Sequence, residues 1–591
     1  MKRHLMKVVV AGAAAALALS ACGSDPAGEG STSRGFEDCV DNPNTCNSGE
    51  RAEGGEITWL IDGPVDAYFP WSPEGGSVYT LQAIHGILPY FGQFLPDGTY
   101  QYNEDVLAGE PELLSEDPFQ IQFKIKDEAV WDDGTPINAN DMIITWKMST
   151  SEGEGHCIGC RSRSSSGADT IESVEGSDDG KTVTVTYKEG ITDPEWFAYG
   201  SVHNIIGGFA PAHVAEQNDW DINDPEDLGE YFEFLNDNPP TFSGGPYMIE
   251  EFDLDQHIIM VPNPNWYGST EVTLDRIVKR IINAAEDTWV PALRNDELHG
   301  GSPSGWPSDV IMELRDLDNV RVHMQPGPSW SHLDINMDNK WLGEHKALRQ
   351  AIFTVIDAAE IVDRVYGDLF PEATVRTNHV HGPNSPYHKD HVTPFGYGSG
   401  DIERARQILA DAGFEGYDGG PGALTYEGET VGPFRLRAGQ SPTNTTALQI
   451  EQAALAEIGI EAEVEFTNAL GDTLSSQDYD LMQFGWSGAP LFTGTGGQYW
   501  KCDSGSNFGR YCNEEVDALI EQEQQATTLE ESAALHDQMM EIVLEDAYVL
   551  PLWDTPVFIF VTDDYVGVRD NANTSLRGMY SHVEWGLAAQ A

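Results

Sequence analysis

The sequence predicts an α/β fold spread over two or three lobes. Three observations carry this expectation. Amphipathic helices that stop at glycine alternate with short apolar strands through the second half of the chain. Strands in the first half alternate apolar and polar residues, the pattern of a sheet buried on one face. The chain has 591 residues, more than one hydrophobic core organises, and its 60 Gly and 33 Pro imply many loops.

Charge excludes one class of partner. Asp and Glu number 97 against 32 Lys and Arg, a net charge of −65. Such a chain repels phosphate backbones, so nucleic acid is not an expected partner. The acids run along the whole length instead of gathering in a tail. That pattern suits a surface adapted to high salt, where mobile ions screen the self-repulsion.

Met1 to Cys22 reads as a targeting segment. Lys2, Arg3, His4 and Lys7 precede an apolar run from Val8 to Leu19, too short to span a bilayer as a mature helix. The ending Leu19-Ser20-Ala21-Cys22 resembles a bacterial lipobox, which implies cleavage before Cys22 and lipidation of its thiol. No other segment approaches 18 continuous apolar residues. Residues 23–54 are rich in Gly, Ser, Asp, Glu and Asn and read as a flexible tether. The six remaining cysteines fall into three close pairs, Cys39/Cys46, Cys157/Cys160 and Cys502/Cys512. In an oxidising compartment three local disulfides are the default. Zinc at Cys157/Cys160 would want a second such pair or two histidines, and only His156 is adjacent.

The folded part is expected to open with a strand at Gly55 to Asp62, in which Ile57, Trp59 and Ile61 alternate. Tyr68, Phe69 and Trp71 follow in a loop, either as packing between lobes or as a ligand wall. Ile121, Phe123 and Ile125 mark a half-buried strand. Trp131 to Pro136 is a turn, and Asn138 or Asn140 can cap a helix running through Trp146. Leu348, Ile352, Val355 and Ala359 share a helical face, with Gly367 just past its end. Asp401 can cap a helix that stops at Gly413, and a helix from Ala447 ends at Gly459. Ile460 to Phe466 alternates with Glu461, Glu463 and Glu465 as a strand buried on one face. Tyr479 to Trp486 is the next strand, ending in a large aromatic beside small residues. There Trp486 can be core or a stacking wall, and Gly488 would let a ligand approach the backbone. Thr528 and Glu531 form a capping box before a helix to Glu545, and strands are expected at Val549–Trp553 and Val557–Val561.

The stretch FKIKDEAVWDDGTPINANDMIITWK (Phe123 to Lys147) resembles a signature of the family-5 extracellular solute-binding proteins, which include the peptide-, dipeptide- and nickel-binding lipoproteins of ABC importers. The resemblance continues in order through Phe242 to Gly268, Leu274 to Ile282, His332 to Gly367, Asp401 to Phe414 and Asn507 to Ile520. It covers nearly the whole mature chain, and the ordered set is more specific than any one motif. It implies a three-lobed, periplasmic-binding-protein-like fold (type II, cluster C) with a ligand cleft between lobes. Domain I would comprise residues 55–85, 192–331 and 554–591; domain II would be inserted at 86–191; domain III would run 332–553. It further implies capture of an oligopeptide-like solute, delivery to ABC permease transmembrane subunits, a lipid anchor on the outer face of the membrane, a monomer, no cofactor and no catalysis.

In peptide-binding members, the stretch matching FGWSGAP carries an Asp a few residues past the Trp, paired with the peptide's α-amine. Here Ser487, Gly488, Ala489 and Pro490 supply no carboxylate. A buried ammonium without a counter-charge is costly, so another acid must substitute or the solute is not a free-amine peptide. Asp480 and Asp334 are the candidate substitutes; blocked peptides, sugars and other polar solutes are the alternatives. Trp486 and Gly488 lead the expected ligand contacts, with Tyr68, Trp71, Asn336 and Trp500 as further cleft-lining candidates. His379, His381, His388 and His391 suggest a metal, but they fall in a Pro-rich loop where four histidines can simply be solvent-exposed. Gly485-Trp486-Ser487-Gly488-Ala489 misses the hydrolase elbow at its last residue and lacks the helix that must follow. A secreted hydrolase is therefore a remote alternative, and a sensory lipoprotein on the same fold a nearer one.

Overall fold

The computed structural model describes residues 35–72, 75–150, 156–162, 167–202, 208–282, 286–305, 307–488 and 490–589. Cys22, the targeting segment and residues 23–34 lie outside the described residues. Residues 35–54, within the stretch that reads as a tether, are packed. Phe36 is buried, and Cys39 pairs with Cys46. The Asn47 amide donates to the Val568 carbonyl at 2.7 Å, and Arg51–Ala52 pairs as a strand with Leu587 and Ala588. Composition misleads there because two cysteines, one aromatic and backbone pairing hold a polar segment that has little apolar surface of its own. The pairs Cys157–Cys160 and Cys502–Cys512 are also bonded.

A ten-stranded mixed sheet runs through the protein. In spatial order its strands are Ala462–Thr467, Phe434–Gly439, Leu481–Ser487, Val320–Ile335, Val549–Thr562, Gly300–Gly301, Glu56–Ile61, Arg276–Ile281, His257–Pro262 and Tyr247–Asp253. The two central strands, of 16 and 14 residues, are antiparallel. The expected break at Asp554-Thr555-Pro556 does not end the second of them. Pro556 lies opposite Pro326, and Asp554 opposite Trp330. Proline donates no ladder hydrogen bond, so the chain bends at Pro326-Gly327-Pro328 while the pairing resumes beyond it in a shifted register. Gly327 is required at that bend, because a Cβ there would sit 2.3 Å from the Thr555 carbonyl oxygen.

Side-chain alternation on these strands feeds two cores. Phe558 and Phe560 enter one core, with Trp289, Leu333, Ile352 and Leu436; Ile559 and Val561 enter the other, with Ile57, Ile121, Trp131 and Ile277. A separate four-stranded antiparallel sheet, ordered Glu112–Glu116, Phe119–Lys124, Thr182–Tyr187 and Ile171–Gly176, contributes to the second core. The helix Ala139–Ser149 lies against it, capped by Asn138 in a reciprocal box with Asp141.

The caps read from sequence are present at Asp401, which accepts from the Arg404 amide at 2.9 Å, and at Thr528, which accepts from the Glu531 amide at 3.2 Å. The helix through Leu348 is shorter than its apolar face suggests. It ends at Val355, and Asp357 caps a second helix, Ala358–Tyr366. The helix before Gly459 begins earlier than expected, at Pro442, because Ser441 caps it.

Candidate ligand cleft

A cavity of about 470 Å³ opens above the bend in the crossing strands. Gln325 to Pro328 form its base. Phe94, Pro96 to Tyr100, Glu195, Phe197, Ala572 and Asn573 bound it from one set of segments. Arg376, Val380 to Tyr387, Gly488 and Pro490 to Phe492 bound it from another. Its volume is that of a small-molecule pocket, and its lining is mainly aromatic, proline and glycine with a few polar groups.

The charged groups of the lining are mostly spoken for. Arg376 is buried, pairs with the Asp554 carboxylate through Nη1, and donates from Nη2 to the Val380 carbonyl at 3.1 Å. Its guanidinium lies 5.2 Å from the centre of the Trp330 ring. Burial raises the Asp554 carboxyl, and Arg376 opposes that shift. Burial holds the His381 imidazole neutral, down to about 3, with His536 and Arg376 adding to the effect against the opposing charge of Asp537. The His381 ring stands edge-on to Phe492 at 4.7 Å.

Glu195 joins the two sets of lining segments. Its Oε1 accepts from the amides of Phe492 at 2.6 Å and Thr493 at 3.2 Å; its Oε2 accepts from the Thr493 hydroxyl at 2.6 Å. Nearby, the Thr192 hydroxyl donates to the Ala526 carbonyl at 3.0 Å. Burial raises the Glu195 carboxyl to about 7, against the pull of these donors.

Of the residues chosen from sequence, Gly488 lines this cavity. Its amide is already bonded to the Pro328 carbonyl at 3.0 Å, and a Cβ would lie 2.3 Å from that oxygen. Gly488 therefore lets two chain segments meet at the base of the cleft. Gly488→Ala should force them apart at a cost of about 1–3 kcal/mol; thermal denaturation of the variant checks this, and an unchanged melting temperature would refute it.

The other choices lie elsewhere. Trp486 is half-buried and stacks on Tyr499 at 4.8 Å, facing a second, much smaller hollow of about 10 Å³. Trp500 is buried and borders that same hollow. Tyr68 stands edge-on to Phe252 at 5.0 Å, and buried Trp71 stacks on Phe69 at 4.9 Å. Asn336 donates to the Tyr479 carbonyl at 2.8 Å and accepts from the Asp338 amide at 3.0 Å, which fixes the turn after the crossing strand. Tyr68, Trp71 and Asn336 border neither hollow.

Asp480 is committed, accepting from the Arg435 amide at 2.7 Å and the Asn339 side chain at 3.0 Å. Asp334 is buried at the small hollow. Of the four histidines, His388 is half-buried and the other three are not solvent-exposed. His379, His381 and His391 are buried, His379 by its bond to the Val549 carbonyl at 3.1 Å and His391 by its pair with Asp537 at 2.9 Å. Among the described residues no group of three or more His, Cys, Asp or Glu is placed to hold a metal ion. Strand Leu481–Ser487 is followed by a helix only at Thr495, not by the immediate helix of a hydrolase elbow.

A cleft of this size over bent crossing strands, walled by segments far apart in sequence and clasped by one carboxylate, is the build of a receptor for small solutes. The chain belongs to the bacterial extracellular solute-binding proteins, family 5, whose middle-region profile matches residues 105–508. It is 26% identical over 493 residues to the oligopeptide-binding protein OppA of Mycobacterium tuberculosis (strain ATCC 25618 / H37Rv), covering 82% of this chain and 77% of that one. Among solved structures it resembles the periplasmic EDTA-binding protein EppA, with 29% identity and a TM-score of 0.83 over 93% of this chain and 99% of EppA. It shares its fold with the oligopeptide-binding protein AppA of Bacillus subtilis, in complex with a nonapeptide, at 19% identity and a TM-score of 0.68 over 91% of this chain and 100% of AppA. The protein is thus a solute-binding protein of this family. Among the described residues no helix is long and apolar enough to cross a membrane.

Proposed function

We propose that the protein captures a short peptide-like solute in the 470 Å³ cleft and passes it to an ABC permease without chemical change. The observation that carries this reading is the cleft itself, bounded by Phe94 and Pro96 to Tyr100, by Gln325 to Pro328, and by Val380 to Tyr387, Gly488 and Pro490 to Phe492, segments that the family resemblance would assign to domains II, I and III. Bending at Pro326-Gly327-Pro328 would open and close it, and ligand contacts present only in the closed form would favour closure. Arg376 is charge-balanced by Asp554, so the lining suits a solute recognised by hydrogen bonds and apolar contact more than by net charge. The lipobox-like Cys22 would tether the receptor, as a monomer, to the outer face of the membrane.

The similarity to EppA favours a second reading, a metal chelate as the solute. Calorimetry of protein stripped of bound solute, against di- and tripeptides, blocked peptides, sugars and EDTA chelates, separates the two. Saturable heat with peptides alone supports the first reading, and heat with chelates alone the second. Silence across the whole panel from folded protein would overturn both.

A further inference from the structure

The small hollow behind the cleft has walls and a charge of its own. In the ladder between Val320–Ile335 and Leu481–Ser487, Trp330 lies opposite Trp486 and Asp334 opposite Met482. Alternation sends Trp330, His332, Asp334 and Trp486 to one face. Tyr499 and Trp500, from the helix Thr495–Trp500, close over that face. Trp486 and Tyr499 stack at 4.8 Å, Trp330 meets Tyr499 at 6.2 Å, and Tyr499 meets Trp500 at 6.2 Å. The space is about 10 Å³, room for one guest the size of a water molecule.

Asp334 borders this space and is 5% exposed. Among the described residues no donor is hydrogen-bonded to its carboxyl. Its nearest basic neighbour is the His332 Nε2 at 3.4 Å, and neither nitrogen of that buried ring has a hydrogen-bond partner. The buried Tyr479 hydroxyl, which also senses the Asp334 charge, has none either. The other charged neighbour, Arg376 over Trp330, is already neutralised by Asp554. Asp480, on the adjacent strand boundary, shows the contrast: its carboxylate accepts two hydrogen bonds and an ion pair.

Buried polar groups in native proteins are nearly always satisfied, by protein, water or an ion. Burial by itself raises the Asp334 carboxyl well above the usual carboxylate range, toward its neutral form; a cation beside it would offset that, since both carboxylate and ring faces attract positive charge. A transition metal would want several nitrogen, oxygen or sulfur ligands; beside Asp334 the lining offers only the Ser506 hydroxyl, Val549 and aromatic rings. We propose that Asp334, Trp330, Trp486, Tyr499 and Trp500 form a binding site for one compact monovalent cation, either a free ion of water size or the ammonium head of an amine. The amine source rests on the receptor reading of the neighbouring cleft; the free-ion source does not.

The test is tryptophan fluorescence of the full mature chain, stripped of bound solute, because three indoles form the walls. Potassium chloride, ammonium chloride and methylammonium chloride are titrated at constant ionic strength, held with choline chloride, whose cation is too bulky for the hollow. A saturable change with at least one of the three compact cations is expected. Asp334→Asn, which keeps the side chain's shape, should weaken it at least about tenfold, and Trp486→Leu by a smaller, several-fold factor. Response to potassium identifies a free-ion site; response to the amines alone identifies a head-group subsite. No saturable response to any of the three, or an unchanged midpoint in Asp334→Asn, would overturn the proposal. Should that variant not fold, an unchanged midpoint in Trp486→Leu would do the same. Peptide calorimetry is read independently, so failure here leaves the cleft assignment standing, and the reverse holds for the free-ion result.

Discussion

Replacing Arg376 with Met is expected to lower stability by about 3–5 kcal/mol, because it leaves the Asp554 carboxylate buried without its partner. Both side chains are almost fully buried, at 3% and 5% exposure. Arg376 also ties the loop Asn378–Val380 to the crossing strand by donating to both carbonyls. Losing it should therefore loosen the cleft wall at Val380 to Tyr387 as well as strand a charge. The double variant Arg376→Met, Asp554→Leu removes both charges and should recover much of the loss, since a paired buried charge contributes little beyond an apolar pair of similar volume. Urea denaturation of the two single variants and the double variant forms the cycle. A single variant within about 1 kcal/mol of wild type would show that Asp554 finds water or another partner.

Solute affinity is expected to rise as pH falls from about 7 toward 4.5, through Glu195. The clasped carboxyl stands raised to about 7, above the 4.5 of a free glutamate. A group with a raised carboxyl favours the clasped arrangement while protonated. Its contribution is fully present below about 4.5 and fades as the pH climbs to about 7. Glu195 keeps some contact with solvent, so the full difference is discounted to roughly 1–2 kcal/mol, or about tenfold in affinity. Glu195→Gln keeps an acceptor for the Phe492 and Thr493 amides and removes the titration. Calorimetry from pH 5 to 8 should give a sloping affinity for wild type and a flat one for the variant. Equal slopes would show that the pH response arises elsewhere.

Local features of the fold were legible in the sequence wherever one residue's chemistry settles them. Asn138, Asp401 and Thr528 each cap the helix their side chains suggest, and Ile121 and Phe123 are buried as their alternation implies. The order of family motifs carried the architecture that no single segment could. What stayed hidden depends on partners distant along the chain. Asp554-Thr555-Pro556 reads as a strand break, and only the facing Pro326 and Trp330 show that pairing continues past it. The cleft wall at Phe94 to Tyr100 has no local mark, and Glu195 is one acid among 97 until the Phe492 and Thr493 amides are seen beside it. Trp486 and Gly488 sit two residues apart, yet border different hollows because the strand ends at Ser487 and Gly488 has already left it to bond the Pro328 carbonyl.

The pairing of Arg51–Ala52 with Leu587 and Ala588 governs when the protein can finish folding. A ribosome or export channel releases residue 51 more than five hundred residues before its partner at 588. The core that holds Phe36, Ile57 and Ile121 also waits for Ile559, Val561 and Trp585. Until then its apolar surface has no cover, so a chaperone or a slow, late docking step must shelter it. Loss of the last few strand residues should accordingly injure the earliest-made part of the molecule, leaving it open to proteases although every one of its own residues is intact.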